Sequence, residues 1–339
     1  MAFKQLANRA PLVGESSVRR RWLVIGLTTF LALDVVLIGW ALAQNDTTPV
    51  SNLVVSTSPG PEPTSPSPEP APSESPAPSA TPSASPTPQA DAVPPTRLLS
   101  ALNGTVAWRS NVGSCPSTPP TPELTTDGGA TWTPSNLNAP TDATAIVRIR
   151  TLGTELATMV ALTGADCAPE FVQTYVGGDN WAVYPDLLAG AWFVNPANRA
   201  SVHSPQGDRA APCPSVVDLA GRDETSAAVL CSDHTVFSTT DAGSTWGSSV
   251  AVPGSVALAS SGNGYAIVTT EQPSCAGVQL LALPEVVDGS ELTASGCFPT
   301  TATPDSLAGN IAVSEGDGTV WLWAGDSLVR SSDGGATWQ

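Results

Sequence analysis

Beyond residue 96 the chain holds six cysteines, two histidines and three tyrosines, and these, with the acids and arginines, are its chemically able side chains. Cys115, Cys167, Cys213, Cys231, Cys275 and Cys297 are even in number, and none forms a C-x₂₋₄-C pair. Structural zinc sites use such pairs, whereas an even set in an oxidising compartment forms disulfides. Sequence alone does not choose among the pairings. A local set is expected, with Cys213–Cys231 across adjacent strands, Cys275–Cys297 in the next unit and Cys115–Cys167 joining the first two. His203 and His234 stand beside no cysteine or acid cluster that would complete a ligand set. No metal and no cofactor is expected. Acid runs such as Asp223-Glu224 read as solvated turns, since calcium needs a dedicated loop of convergent oxygens.

Charge narrows the partner. The net charge is −17. From Arg97 onward there are 8 arginines, no lysine and 23 acids, so this part carries 8 − 23 = −15. Nucleic acid is excluded as a partner, because phosphate binding needs a basic surface. With 23 acids a carboxylate pair for glycoside hydrolysis can always be found, so finding one has no force. No P-loop, nucleophile elbow or dinucleotide fingerprint is present.

The elements that must position these groups are announced by an octapeptide. Thr125 to Trp132, Thr239 to Trp246 and Ser331 to Trp338 share the pattern [S/T]-x-D-x-G-x-T-W. A worn copy spans Thr174 to Trp181, with Val176 in place of the Asp and Asn180 in place of the Thr. Its chemistry is that of a tight turn. The carboxylates of Asp127, Asp241 and Asp333 can accept backbone N–H bonds. Gly129, Gly178, Gly243 and Gly335 can supply a positive φ. Thr131, Thr245 and Thr337 can brace the acid, and Trp132, Trp181, Trp246 and Trp338 open the next strand.

The pattern resembles the Asp box, or BNR repeat, of sialidase-like and photosystem-assembly-factor-like β-propellers. That resemblance implies an all-β fold in which each box turns between the third and fourth strands of a blade. It also implies a Trp buried between neighbouring blades, and boxes on the periphery, away from any active site. Intervals between box tryptophans are 49, 65 and 92 residues, the last close to two periods of a four-stranded blade. An eroded blade is therefore expected at Val256 to Pro299. Short apolar runs at Thr105–Trp108, Leu156–Ala161, Ala227–Leu230, Tyr265–Thr269 and Thr319–Trp323 read as strands. About five blades are expected over 97–339, with four to six open. Since the last box ends one residue before the last residue given, the final blade is expected either to borrow an outer strand from Thr96–Leu102 or to leave an open edge.

A sialidase-type reading implies three arginines gripping a substrate carboxylate, a Tyr nucleophile with a Glu partner, and an acid/base Asp. Arg97, Arg109, Arg148, Arg150, Arg199, Arg209, Arg222 and Arg330 all lack the F-R-x-P context that such enzymes use. Tyr175, Tyr184 and Tyr265 are the available nucleophiles, and Tyr175 lies inside the worn turn. A net −15 domain would repel an anionic sugar. The expectation is a binding or scaffold module for an envelope protein or glycan, with sialidase-like hydrolysis as the alternative. Trp192, Trp321 and Trp323 are candidate binding residues if they are exposed; inter-blade packing is the competing role.

Residues 1–21 carry five basic residues and one acid, a net +4. Trp22 to Ala43 follows with one charge, Asp34, and as a helix would reach ~33 Å, enough for a ~30 Å hydrocarbon core. Arg19-Arg20-Arg21 before it and no Lys or Arg after it until Arg97 place the N-terminus in the cytoplasm and the rest outside. A cleaved signal peptide ending at Ala41-Leu42-Ala43 is the rival, and it exports the same residues. Within the 44–96 linker, Ser58–Pro95 holds 14 prolines. It is expected to be a disordered stalk with a reach of up to ~120 Å.

Overall fold

The computed structural model describes residues 90–262, 264–285 and 292–339. The basic tail, the expected transmembrane helix 22–43 and most of the stalk lie outside them. Among the described residues no helix is long and apolar enough to cross a membrane.

Each apolar run forms one strand of an antiparallel meander. The first sheet comprises β1 (Arg97–Ala101), β2 (Ala107–Asn111), β3 (Glu123–Thr125) and β4 (Thr133–Pro134). The second comprises β5 (Ala143–Thr151), β6 (Ala157–Thr163), β7 (Ala168–Thr174) and β8 (Ala182–Val183). A separate hairpin follows, β9 (Ser201–Ser204) and β10 (Gly207–Ala210). The third sheet is β11 (Val216–Gly221), β12 (Ala227–Cys231), β13 (Thr235–Thr239) and β14 (Val250–Ala251). The fourth is β15 (Ser255–Ser261), β16 (Gly264–Thr269), β17 (Gly277–Pro284) and β18 (Thr293–Pro299). The fifth is β19 (Ile311–Gly316), β20 (Thr319–Ala324) and β21 (Ser327–Ser331). The eroded blade expected at Val256–Pro299 is the fourth sheet.

Hydrogen bonds between first strands close these sheets into a ring. Thr151 N donates to Ser100 Oγ at 2.9 Å and Ala101 N to Ser314 Oγ at 2.9 Å. Leu258 N donates to Asp218 Oδ2 at 2.8 Å, and Gly262 N to Glu315 Oε1 at 3.3 Å. Arg148 Nη2 completes the circle, donating to Gly221 O at 3.2 Å. The fold is a five-bladed β-propeller.

The core lies in the seams. One cluster around Trp108, Ile146 and Trp181 joins blades one and two, and another around Leu230, Tyr265 and Ile267 joins three and four. Leu280, Ile311 and Leu322 fill the seam between four and five, and Ala107 and Trp321 that between five and one. The β9–β10 hairpin enters between blades two and three as a wedge. Its blade-three side is well filled, by Trp192, Val202, Val216 and Val229. Toward blade two the buried cluster is only Val160, Ala191 and Phe193. This insertion accounts for the long interval from Trp181 to Trp246.

Three disulfides form as expected: Cys115–Cys167 between blades one and two, Cys213–Cys231 in blade three and Cys275–Cys297 in blade four.

Two expectations are corrected. Residues 90–96, expected as the end of the disordered linker, are docked on the propeller. Ala92 is buried in the seam of blades three and four, and its N–H donates to Ser232 O at 2.8 Å. His234 Nε2 lies 2.8 Å from Ala90 O, and Thr96 Oγ1 donates to Gly309 O at 2.8 Å. Nor is Thr96–Leu102 the outer strand of the last blade. It contains β1, paired along its whole length with β2 as the innermost strand of blade one. The fourth strands of blades one to three are two residues each, and Gln339 already exchanges both backbone bonds with Arg330, at 3.0 and 2.9 Å. Thr133 holds the same register against Leu124 in blade one.

Candidate functional site

The octapeptides are the turns between third and fourth strands, on the rim. Asp241 Oδ1 accepts from Thr245 N at 2.9 Å and from Thr239 Oγ1 at 2.8 Å, while Oδ2 accepts from Thr245 Oγ1 at 2.7 Å. Asp127 and Asp333 repeat this set with Thr131 and Thr125, and with Thr337 and Ser331. Hydrogen bonds from the Thr hydroxyls, then from backbone N–H groups, hold Asp127 and Asp241 down at about 2; Asp333, bonded first by the hydroxyls of Thr337 and Ser331, is also at about 2. The worn copy keeps the bond from Gly178 N to Thr174 Oγ1, at 3.0 Å. Gly178 has φ of 90°, and a Cβ there would stand 2.5 Å from Trp108, so glycine is required twice over.

Each box tryptophan reaches back to the preceding unit. Trp181 meets Trp108 edge-on and donates to Ser135 Oγ at 2.8 Å. Trp338 packs on Phe298, and Trp132 on Trp321. Trp246 donates instead to Ala210 O of the wedge, at 3.1 Å. Of the four, only Trp181 is fully buried; the other rings keep an exposed edge. The three candidate binding tryptophans take the competing role, packing in the seams. Trp192 and Trp321 are core, and Trp192 Nε1 is spent on Asp223 O at 2.8 Å. Trp323 lies under Arg97 and Arg109, with guanidinium carbons 4.5 and 5.3 Å from its ring.

Concave space lies at the ring's centre instead. A cavity of about 280 Å³ is lined by the first strands of all five blades, with Arg148, Arg150, Arg222, Asp218 and Glu315 as its charged residues. Three of the domain's 8 arginines therefore face one opening in an otherwise acidic domain. Whole-domain charge was a poor guide here, because the local field and not the sum meets a ligand.

Asp218 spans two blades through its own Leu219 N–H at 2.8 Å and that of Leu258. Burial pushes its carboxyl up to about 6, against the pull of those two N–H groups, Arg148 and Arg199. Arg148 is lowered to about 10 by burial, then by neighbouring Arg150; it stays charged at neutral pH. Its Nε is buried with no hydrogen-bond partner, and Nη1 reaches Leu219 O at only 3.4 Å. Such a donor has unspent capacity.

The tyrosines divide. Tyr265 is fully buried between blades three and four, and burial raises its hydroxyl, the wrong direction for a nucleophile. Tyr175 and Tyr184 pair edge-on at 6.4 Å on the rim of blade two. Nor is His203 without an acid: it faces Asp208 across the wedge hairpin, Nδ1 to Oδ1 at 2.7 Å. A two-strand register hid this pairing, which four intervening residues do not announce. Sequence reading also missed the central arginines, whose only signal was their place in or beside first strands. Among the described residues no group of three or more His, Cys, Asp or Glu could hold a metal.

No protein-family model and no curated protein matches the chain. Among solved structures it is similar to "YCF48 bound to D1 peptide", with 14% identity over 68% of this chain and 76% of that one and a TM-score of 0.37. The SapL1 lectin in complex with alpha methyl fucoside shows 12% identity, 72% and 77% coverage and a TM-score of 0.34. For the GH74 xyloglucanase from Xanthomonas campestris the figures are 14%, 71%, 37% and 0.29. All three are propellers. Likeness at this level says nothing about ligand or activity.

Proposed function

We propose that the chain is a non-catalytic Asp-box propeller, held by its N-terminal span on the outer side of a cell membrane and carried on a proline-rich stalk. It binds an envelope protein or glycan through the open centre of the ring. The observation that carries this reading is the charged mouth itself: Arg148 and Arg150 on β5 and Arg222 just after β11, held at an opening lined by five mutually bonded first strands. A rigid, prearranged face of that kind favours binding, since little ordering entropy remains to be lost. The three matching turns support the family, and the single-charge run 22–43 behind three arginines supports the anchor.

The test is retention of envelope fractions by the immobilised full-length chain, run beside a sialidase and general glycosidase screen. Specific retention without turnover supports the proposal. Robust turnover that is lost on substituting one acid pair overturns it in favour of a glycoside hydrolase.

A further inference from the structure

Beside the central mouth, the seam between blade two and the 187–192 segment that leads to the wedge opens into a second cavity of about 310 Å³. That is near the lower end of the ~300–1,000 Å³ range of small-molecule sites. Two kinds of residue line it. Leu152, Val160, Phe171, Leu187 and Trp192 give apolar walls, with Leu152 and Leu187 exposed at the rim. Arg148 and Arg150 give two positive charges, and no acid is among the lining residues. Buried Thr158 and Gln173 add polar groups to the same wall.

Arg148, Arg150 and Leu152 line both this cavity and the central one. The Arg148 Nη atoms bridge to the carbonyls of Leu219 and Gly221, and its Nε is buried without a partner. With no acid among the lining residues, the charges of Arg148 and Arg150 are uncompensated within the cavity wall. A carboxylate is the fitting group, because guanidinium N–H bonds to carboxylate are charge-assisted. The apolar walls call for a hydrocarbon body attached to it.

We infer that this seam is a binding site for a small monocarboxylate with an apolar or aryl body, its carboxylate on Arg148 and Arg150 and its body between Phe171, Leu187 and Trp192. The site shares its two arginines with the central mouth, but the walls that take the apolar body, Phe171, Leu187 and Trp192, lie outside it. Gly190 lies on the wall of the seam cavity and not of the central one, and a Cβ there meets nothing within 4 Å. Gly190→Leu therefore adds bulk at the seam's wall without touching the lining of the central mouth.

Calorimetric titration of the full-length, oxidised chain with 3-phenylpropionate, and separately with 3-phenylpropanamide, tests this. The carboxylate should bind at least tenfold more tightly than the amide. Arg148→Gln, and the exposed Arg150→Gln in case the first fails to fold, should each weaken it about tenfold. Gly190→Leu should abolish it while leaving envelope retention intact. Equal binding of acid and amide, no binding of either, or an unaltered Gly190→Leu titration would overturn the seam site. None of these results bears on retention, so failure here is distinguishable from failure of the function proposed above.

Discussion

The guanidinium carbon of Arg109, in the first blade, lies 5.3 Å from the ring of Trp323, in the last. It also covers Trp132 of its own blade at 4.1 Å, and Trp132 meets Trp321 edge-on across the same seam. Arg97 and Arg330 extend the stack over Trp323 and Trp321 at either end. The seam where first and last blades meet is thus held by alternating cations and indoles. Half-buried cation–π contacts contribute ~0.5–2 kcal/mol each. Arg109→Ala breaks two of them and the Glu123 pair, and should lower stability by about 2 kcal/mol in urea unfolding. Arg109→Lys should recover only part of that, because an ammonium lacks the planar stacking face.

The rim turns make stability acid-sensitive. Asp127, Asp241 and Asp333 sit near 2 in the folded chain, below the ordinary value of 3.8. A depressed acid contributes stability that is present above its unfolded value and lost as pH falls through the folded one. The urea midpoint should therefore drop between pH 3.8 and about 2. Asp241→Asn should shrink the drop, and an unchanged profile would show that the turn bonds are not formed in solution.

Asp218 acts with the opposite sign. Its folded value is raised to about 6 from 3.8, so in that window the unfolded chain has released a proton that the folded chain retains. Stability from this group falls as pH rises from 3.8 to 6, then levels off. Asp218→Asn should remove that slope. It should also lower stability at every pH, since Leu219 and Leu258 donate to different carboxylate oxygens and asparagine would turn an NH2 donor toward one of them. The difference between the two pH profiles isolates the slope.

Disulfide removal should scale with the chain enclosed. Cys115–Cys167 closes a separation of 52 residues and Cys213–Cys231 one of 18. By loop-closure entropy these contribute about 4 and about 3 kcal/mol. Paired Cys→Ala variants compared in urea should show the first to be more costly.

Legibility in the sequence followed burial. Leu156–Ala161 and Ala227–Leu230 read as strands because β6 and β12 are second strands, buried on both faces by neighbouring blades and so continuously apolar. The octapeptides were legible because their hydrogen bonds are local. First strands were less so: β1 and β19 face the charged central cavity on one side and mix Ser, Arg and Glu with apolar residues. Their pairing is long-range, which no local pattern records. That is why Arg148, Arg150 and Asp218 came together only in the fold, and why Trp321 and Trp323, prominent as a pair, proved to be seam packing.

Where a partner sits on the ring is the most direct question. Arg150 is exposed at the central mouth, whereas Tyr175 is exposed on the outer rim. Retention of the envelope partner should be measured for Arg150→Glu and Tyr175→Asp beside the unaltered chain. Binding at the centre predicts at least a tenfold loss for Arg150→Glu and full retention for Tyr175→Asp; the reverse pattern would contradict it.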